Sequence, residues 1–251
     1  MTSTRTHPLY YLDLNAISPS SARHISSLFT DPKLALSVDG GIIGGPPKPK
    51  NYDGKSNNIT VNKSRDDSDW TCPSIPVSGP HPVAEAPVAG ANLATLLNIK
   101  HISPLIGPAS GLKCCFATTT KGFTALCIQA FTSAQAMGVL PELIEQMQEK
   151  LPSHWTTAQG GVIAMPPKAY RWVREMEEIG ACHSEDGGFE GMNIFESVAG
   201  VYRTVADETV LGEEKTERRK RGRTVEDVAV AMGEGLQAKK RKGDNTLDGL
   251  H

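Results

Sequence analysis

The sequence predicts an α/β fold that gives way to an all-α one. Three observations predict it. Short apolar runs rich in β-formers alternate with helical stretches up to about residue 105; apolar positions from residue 107 onward recur with the helical period; and Pro or Gly bounds each later segment. With 251 residues and 39% apolar side chains the chain can bury a real core, and its length fits one large domain or two smaller ones. The change of pattern places two domains, 1–106 and 107–210, followed by a basic tail, 211–251.

Residues 9 to 14, LYYLDL, read as a strand, with Ser18 as N-cap and Pro19 as first residue of the helix that follows, SSARHISSLF. That helix ends before Thr30-Asp31-Pro32, and LALSVDGGIIGG is a second strand running into paired glycines. A strand, helix and strand in succession make a parallel pair. The polar, breaker-rich text of residues 46 to 74 reads as an inserted surface loop that Trp70 can pin down. SIPVSGP resumes a short strand, VAEAPVAGANLATLLNI has helical composition despite Pro87 and Gly90, and KHISPLIG gives one more strand.

Beyond Gly107 the apolar positions 112, 115, 116, 123, 126, 127 and 130, with Thr119 and Thr120 between, predict one long, largely buried helix. Further helices are expected at about 139–150, 166–183 and 188–209, making the second domain all-helical. In the tail the helix TVEDVAVAMGEGLQ lies between the basic clusters RRKRGR (218 to 223) and KKRK (239 to 242). Their spacing resembles a bipartite nuclear-import signal. Eight acidic residues accompany the ten basic ones after Leu211, which equally suits a solvated, partly disordered helical tail.

Charge and cysteine content exclude several classes. The 26 Lys+Arg against 28 Asp+Glu leave a net charge of -2, so no global field draws the protein to nucleic acid or to an anionic membrane. Five cysteines (Cys72, Cys114, Cys115, Cys127, Cys182) without C-x-x-C spacing argue for reduced cytosolic thiols and against a disulfide framework or a zinc site. Neither a signal-peptide core nor an apolar run long enough to span a bilayer occurs, which predicts a cytoplasmic protein without membrane contact and makes the sequons at Asn58 and Asn62 coincidences of a polar loop.

The residue that asks for an explanation is Lys113, in GPASGLKCCFATTTKG. On an unbroken helix its face carries Ala117, Thr120 and Thr124, a small, weakly polar stripe expected to face a cleft. Desolvation by Leu112, Cys114, Cys115 and Phe116 would lower its pKa, and a nearby cationic cofactor ring would lower it further, so a neutral amine could act as general base. A snorkelling lysine at the first turn of a buried helix explains the same placement. Gly40, Gly41, Gly44 and Gly45 stand at a strand's C-terminal end, where open parallel sheets bind ligands and bare backbone N–H groups can meet an anion. A tight turn without a ligand explains those glycines equally well.

Other constellations are ordinary. Gly107-Pro108-Ala109-Ser110-Gly111 has its serine one position too late for a nucleophile elbow, and Cys182-His183 lacks metal-ligand spacing, so no metal site is expected. Glu175, Glu177 and Glu178 share a helix, where charge is usually a solvated face.

YYLDLNAISPSSARHI, SVDGGIIGGPP, IPVSGP, LIGPASGLKCCFATTTKGFTAL and RWVREMEEIG, in this order, resemble the 6-phosphogluconate dehydrogenase and β-hydroxyacid dehydrogenase superfamily, in its subgroup with a phosphogluconate-dehydrogenase-like C-terminal domain. The resemblance covers most of residues 9 to 209. It implies a Rossmann-type, doubly wound domain followed by a helical domain that often dimerises, and an NAD(P)-dependent transfer of hydride from a hydroxyl carbon of a small acid to nicotinamide. Lys113 matches the family's catalytic lysine, the base for the hydroxyl proton. Ile43-Gly44-Gly45 fall on the substrate-carboxylate motif, and Asn15-Ala16, with Ile17 to Pro19, fall where the family lines the nicotinamide.

Two positions depart from the pattern: Ile43 replaces a serine, and Ala117 replaces an asparagine found in many members four residues after the lysine. Both put the usual β-hydroxyacid substrate in doubt. No G-x-G-x-x-G opens the chain, so the resemblance implies that the first half of the Rossmann domain, with the pyrophosphate cradle and the NAD or NADP choice, is missing, as in a truncated gene model or a degenerate paralogue. The alternative function is a non-catalytic helical dimerisation module on the family scaffold.

Overall fold

In the computed structural model, which describes residues 6–50 and 70–248, the run LYYLD forms strand β1 (Leu9–Asp13) and leads into helix α1 (Pro19–Ser27). The Ser18 hydroxyl accepts the Ser21 N–H at 3.1 Å and Pro19 opens the first turn, as the Ser-Pro pair predicts. Strand β2 (Ala35–Gly40) then pairs with β1 in parallel, Leu9 opposite Ala35 through Asp13 opposite Asp39. The Tyr11 and Phe29 rings meet at 4.9 Å, and the hydroxyls of Ser26 and Ser37 bond at 2.6 Å, tying α1 to one sheet face.

After β2 the described residues return antiparallel to it, with no crossover helix among them. Ile43 and Ser74 bridge, strands β3 (Lys48–Pro49) and β4 (Trp70–Thr71) pair antiparallel, and β5 (Ile75–Ser78) lies antiparallel to β2. The expected loop of residues 46 to 74 is thus an antiparallel excursion at its base, with Trp70 opposite Pro49; residues 51–69, including both sequons, lie outside the described residues. A 3-10 turn (Val83–Glu85), helix α2 (Gly90–Leu96) and strand β6 (Ile99–Ser103) follow, and β6 pairs in parallel with β5. Pro87, which cannot donate within a helix, divides the expected 83–99 helix in two.

The sheet order is β1-β2-β5-β6, a small mixed sheet. Val38, Ile75, Val77 and Val83 form its buried core, with Tyr10, Leu12, Leu14 and Ile99 packed against them.

Most of the remaining described residues are helical, and the fold is of the expected class, part α/β and part all-α. The elements are α3 (Pro108–Ala117), a π-turn (Thr118–Gly122), α4 (Phe123–Met137), α5 (Leu140–Lys150), α6 (Pro152–Ala164), α7 (Ala169–Ala181), a second π-turn (Cys182–Asp186), α8 (Phe195–Glu208) and α9 (Val225–Asp248). The backbone divides into two compact units, Met1–Phe116 and Ala117–His251. Within the second, α7 packs on α8, and α4 packs on α6, α8 and α9 around Ile128, Phe131, Val162, Met176, Tyr202 and Val205.

Two sequence expectations change here. The single helix expected beyond Gly107 is interrupted by a π-turn and is not largely buried: Leu112, Cys115, Phe116 and Leu126 are exposed, while Ala109, Cys114, Ala117, Ala125 and Ile128 are buried. Period alone fixes a repeat and leaves open which face small residues will pack. Helix α6 was not expected, because PSHWTTAQGGVIA carries Gly160-Gly161 and no clean apolar stripe. Gly161 answers for itself: a Cβ there would stand 2.5 Å from Thr124 Oγ1 on α4.

Residues 211–251 are helical in much of their described part. Val225, Val228, Ala229 and Met232 of α9 are buried, and Thr224 with Asp227 forms a reciprocal cap, the Asp227 N–H on Thr224 Oγ1 at 3.0 Å and the Thr224 N–H on Asp227 Oδ2 at 3.2 Å. No described helix is long and apolar enough to cross a membrane.

Candidate functional site

The sequence-expected site residues lie at the C-terminal ends of β1 and β2 and the start of α3. What organises this edge is Asp39, the penultimate residue of β2, 3% exposed. Its Oδ1 accepts the Ser110 hydroxyl at 2.5 Å; its Oδ2 accepts the Ser78 hydroxyl at 2.9 Å and the N–H groups of Gly107 at 3.0 Å and Ser110 at 3.2 Å. Ser78 Oγ in turn accepts the Ala109 N–H at 3.0 Å. The first-turn donors that make a helix start an anion site are here taken by the protein's own carboxylate and hydroxyl.

One turn beyond Ser110, Lys113 lies over the end of β2. A Cβ built on Gly41 would come 2.9 Å from Lys113 Cβ, so the missing side chain is what lets the lysine stem lie on this backbone. The amine donates to the Ile42 carbonyl. Burial lowers the Lys113 pKa from its ordinary value, against a smaller opposing effect of Cys114. The Cys114 thiol donates to the Ile17 carbonyl at 3.4 Å, linking the same turn of α3 to the loop after β1.

The other expected residues are placed less closely. Asn15 folds back on Asp13, donating its backbone N–H at 2.9 Å and its side-chain amide at 2.8 Å to Oδ1, and Ala16 is half-buried beside it. Ile43 gives both its backbone groups to Ser74, N–H to O and O to N–H, each 2.8 Å. Gly44 has φ +114°, reserved in practice for glycine, and space around Gly45 is open to 4 Å from a built Cβ. Among the described residues no hydrogen bond joins Lys113 to Asn15, Ala16, Gly44 or Gly45.

Asp39, Ser78 and Ser110 were the residues sequence reasoning passed over. The available signal was an aspartate at a strand end, a second strand ending in Ser, and a Ser three residues before the lysine. Only the fold brings residues 39, 78 and 110 together.

The stripe Ala117, Thr120, Thr124 is not a cleft wall: Ala117 and Thr124 are buried, and Thr124 packs against Gly161. The i+7 and i+11 spacing presumes an unbroken α-helix, and the π-turn at Thr118–Gly122 breaks it. That turn holds its own polar group within the second unit. Lys121 pairs with Glu175 and sits 5.0 Å above the Trp172 ring, while the Tyr202 hydroxyl donates to the Lys121 carbonyl. Thr118 Oγ1 meets His183 Nε2 of the second π-turn at 2.7 Å. The glutamates of α7 are therefore not a simple solvated face: Glu175 is half-buried with Lys121, and Glu178 is buried and accepts from the exposed Arg174. The basic cluster of residues 218–223 is also engaged. Arg219 donates to the carbonyls of Ile163, Arg221 and Gly222, and Arg221 pairs with Glu213 and Glu214 at 2.8 Å each.

Residues 134–205 match the family described as a domain of unknown function (DUF1932). No curated protein matches the chain. Among solved structures, a conserved hypothetical protein from Sinorhizobium meliloti 1021 is similar over 90% of this chain and 66% of its own, at 19% identity and a TM-score of 0.60. The conserved protein MTH1747, of unknown function and described as structurally similar to 3-hydroxyacid dehydrogenases, is similar over 79% of this chain and 66% of its own, at 22% identity and a TM-score of 0.51. At these identities the likeness is one of fold. The chain spans just under two thirds of the length of these two structures.

Proposed function

We propose that this chain is the substrate side of an NAD(P)-dependent dehydrogenase acting on a hydroxyl carbon of a small acid, with Lys113 as general base. The observation that carries the reading is the half-buried amine of Lys113, bonded to a backbone carbonyl at the strand ends and lowered in pKa by burial. Such an amine can take the hydroxyl proton as the carbonyl forms and return it in the reverse direction. Gly44 and Gly45, exposed and unencumbered by side chains, are the candidates for the acid's carboxylate, with Ile43 supplying an apolar side chain where a serine hydroxyl would otherwise add a bond. Asn15 and Ala16 follow β1 and would line a nicotinamide ring.

The dinucleotide itself fits these residues only in part. A bound NAD or NADP would supply the hydride acceptor. Among the described residues, however, the N–H groups of Gly107, Ala109 and Ser110 at the start of α3 are taken by Asp39 and Ser78, so that helix start is not left as a pyrophosphate cradle. The described residues would therefore serve the proton and the acid, while the start of α3 would not serve the pyrophosphate.

The test is a titration of the purified protein with NADPH and NADH by fluorescence, followed by hydroxyacid-dependent reduction at the nicotinamide band. Binding and turnover that Lys113→Met abolishes support the reading; absence of cofactor binding at millimolar concentration overturns it.

A second reading, a homodimerisation module, is favoured by one observation: Leu126, Met137, Val139 and Leu151 of the helical unit are exposed. Gel filtration with and without cofactor separates the two, since a dimer indifferent to NADP supports the second.

A further inference from the structure

We propose that Asp39 is a positioning residue for Lys113, acting through the first turn of α3. The inference deepens the function proposed above and rests on Lys113 being its base.

Asp39 does more than a helix cap requires. A capping oxygen commonly takes one N–H. This carboxylate takes two N–H groups and a hydroxyl on Oδ2 and a second hydroxyl on Oδ1, and does so while buried. A buried carboxylate is costly unless every lone pair is used, and here donors from β5 and α3 converge on it. The consequence is that the start of α3 is locked to the last residues of β2 through side chains of three elements.

Lys113 is the residue that this lock serves. It follows Ser110 by three positions, so its side chain leaves the same helix face one turn on. Its stem crosses Gly41 and its amine reaches Ile42, both immediately after Asp39 in the chain. The burial that lowers its pKa thus depends on a helix-to-strand distance that Asp39 sets. If α3 moves off the end of β2, the amine gains water and loses its carbonyl. No charge of Asp39 need act on the amine directly for this to hold.

The chemistry of the network distinguishes positioning from charge. Asn at position 39 can keep an oxygen at the Oδ2 place and turn its NH2 toward Ser110 Oγ, which can accept as well as donate. Ala can do neither. Asp39→Asn should therefore preserve the state of Lys113 in large part, and Asp39→Ala should release it.

The experiment is competitive labelling of the full chain with trace acetic anhydride across pH 7 to 11, read by mass spectrometry on a peptide that contains Lys113. It needs no turnover. The wild type should show Lys113 reacting with a midpoint below that of an ordinary lysine. In Asp39→Ala the reactivity of Lys113 at pH 8 should fall by at least about threefold, the change that a rise of about half a pH unit in its midpoint gives. Asp39→Asn should fall by less than half of that change. Should Asp39→Ala not fold, Ser78→Ala and Ser110→Ala each remove one member of the network and should each shift reactivity in the same direction by a smaller factor. A wild-type-like midpoint in Asp39→Ala, or in both serine variants if it cannot be made, overturns the positioning role and leaves the base intact. An ordinary midpoint in the wild type overturns the base and this inference together.

Discussion

Lys113 and Lys121 lie eight residues apart in the sequence, at the end of one unit and the start of the other, and they are held in opposite ways. Lys113 has a glycine under its stem and a carbonyl at its amine, and burial lowers its pKa. Lys121 has a carboxylate from Glu175 and the face of Trp172. A carboxylate and an aromatic quadrupole both stabilise the cation; a carbonyl and a dry stem stabilise it much less. The contrast separates a lysine kept for its charge from one suited to give the charge up.

The largest effect that tests this contrast is on turnover. Lys113→Met should lower the proposed dehydrogenase activity by about 10²- to 10⁴-fold, the usual contribution of a general base, with little change in Tm. Lys121→Met should do the reverse, and comparing initial rates and melting curves of the two variants checks both.

Next comes stability in the helical unit. Glu175→Gln leaves Lys121 over Trp172 without its carboxylate. The pair is about four-fifths buried, so the cost should approach, without reaching, the about 3–5 kcal/mol of a fully buried pair broken on one side, and about 1–3 kcal/mol is expected in urea unfolding. An unchanged urea midpoint would show that the pair is a surface contact.

Two glycines extend the comparison. Gly161→Ala forces a methyl to within 2.5 Å of the Thr124 hydroxyl and should cost about 1–3 kcal/mol by overpacking. Gly41→Ala meets Lys113 Cβ at 2.9 Å, an atom that the backbone of α3 fixes, so the lysine's helix turn must shift and both activity and Tm should fall. Unchanged activity in Gly41→Ala would erase the difference between a packing glycine and a site glycine.

The smallest effect concerns pH. The N–H of Lys220 first, and the Arg221 side chain next, hold the Glu214 carboxyl at about 2, below its ordinary 4.5. A carboxyl lowered on folding adds stability that is present above its unfolded value and is lost as pH falls toward its folded one. The Tm of the wild type should therefore exceed that of Glu214→Gln at pH 6 and converge on it between about pH 4.5 and 2. A Tm difference that does not change with pH would remove Glu214 from the account.

How far this could be read from sequence follows from the range of each interaction. β1, α1 and β2 are written locally, in LYYLDL, Ser18-Pro19 and LALSVDG, and each forms where its residues indicate. Lys113 and Gly41 are legible as types, a lysine in an apolar turn and a glycine at a strand end. The rest is non-local. Asp39 finds Ser110 across 71 residues and Ser78 across 39, and no periodicity encodes such a meeting. The π-turn at Thr118–Gly122 leaves no mark in ATTTKG, yet it undoes the helical spacing from Lys113 to Thr124. Helix α6 was hidden because Gly160-Gly161 reads as a breaker until Thr124 supplies the reason for a glycine.

The most direct test of the account is the titration of the lysine ε-groups of the intact protein by NMR, with Lys113 assigned through its Lys113→Arg variant. The Lys113 signal should titrate with a midpoint below 10.5, and Asp39→Ala should move it upward. A midpoint at or above 10.5 in the wild type would contradict it.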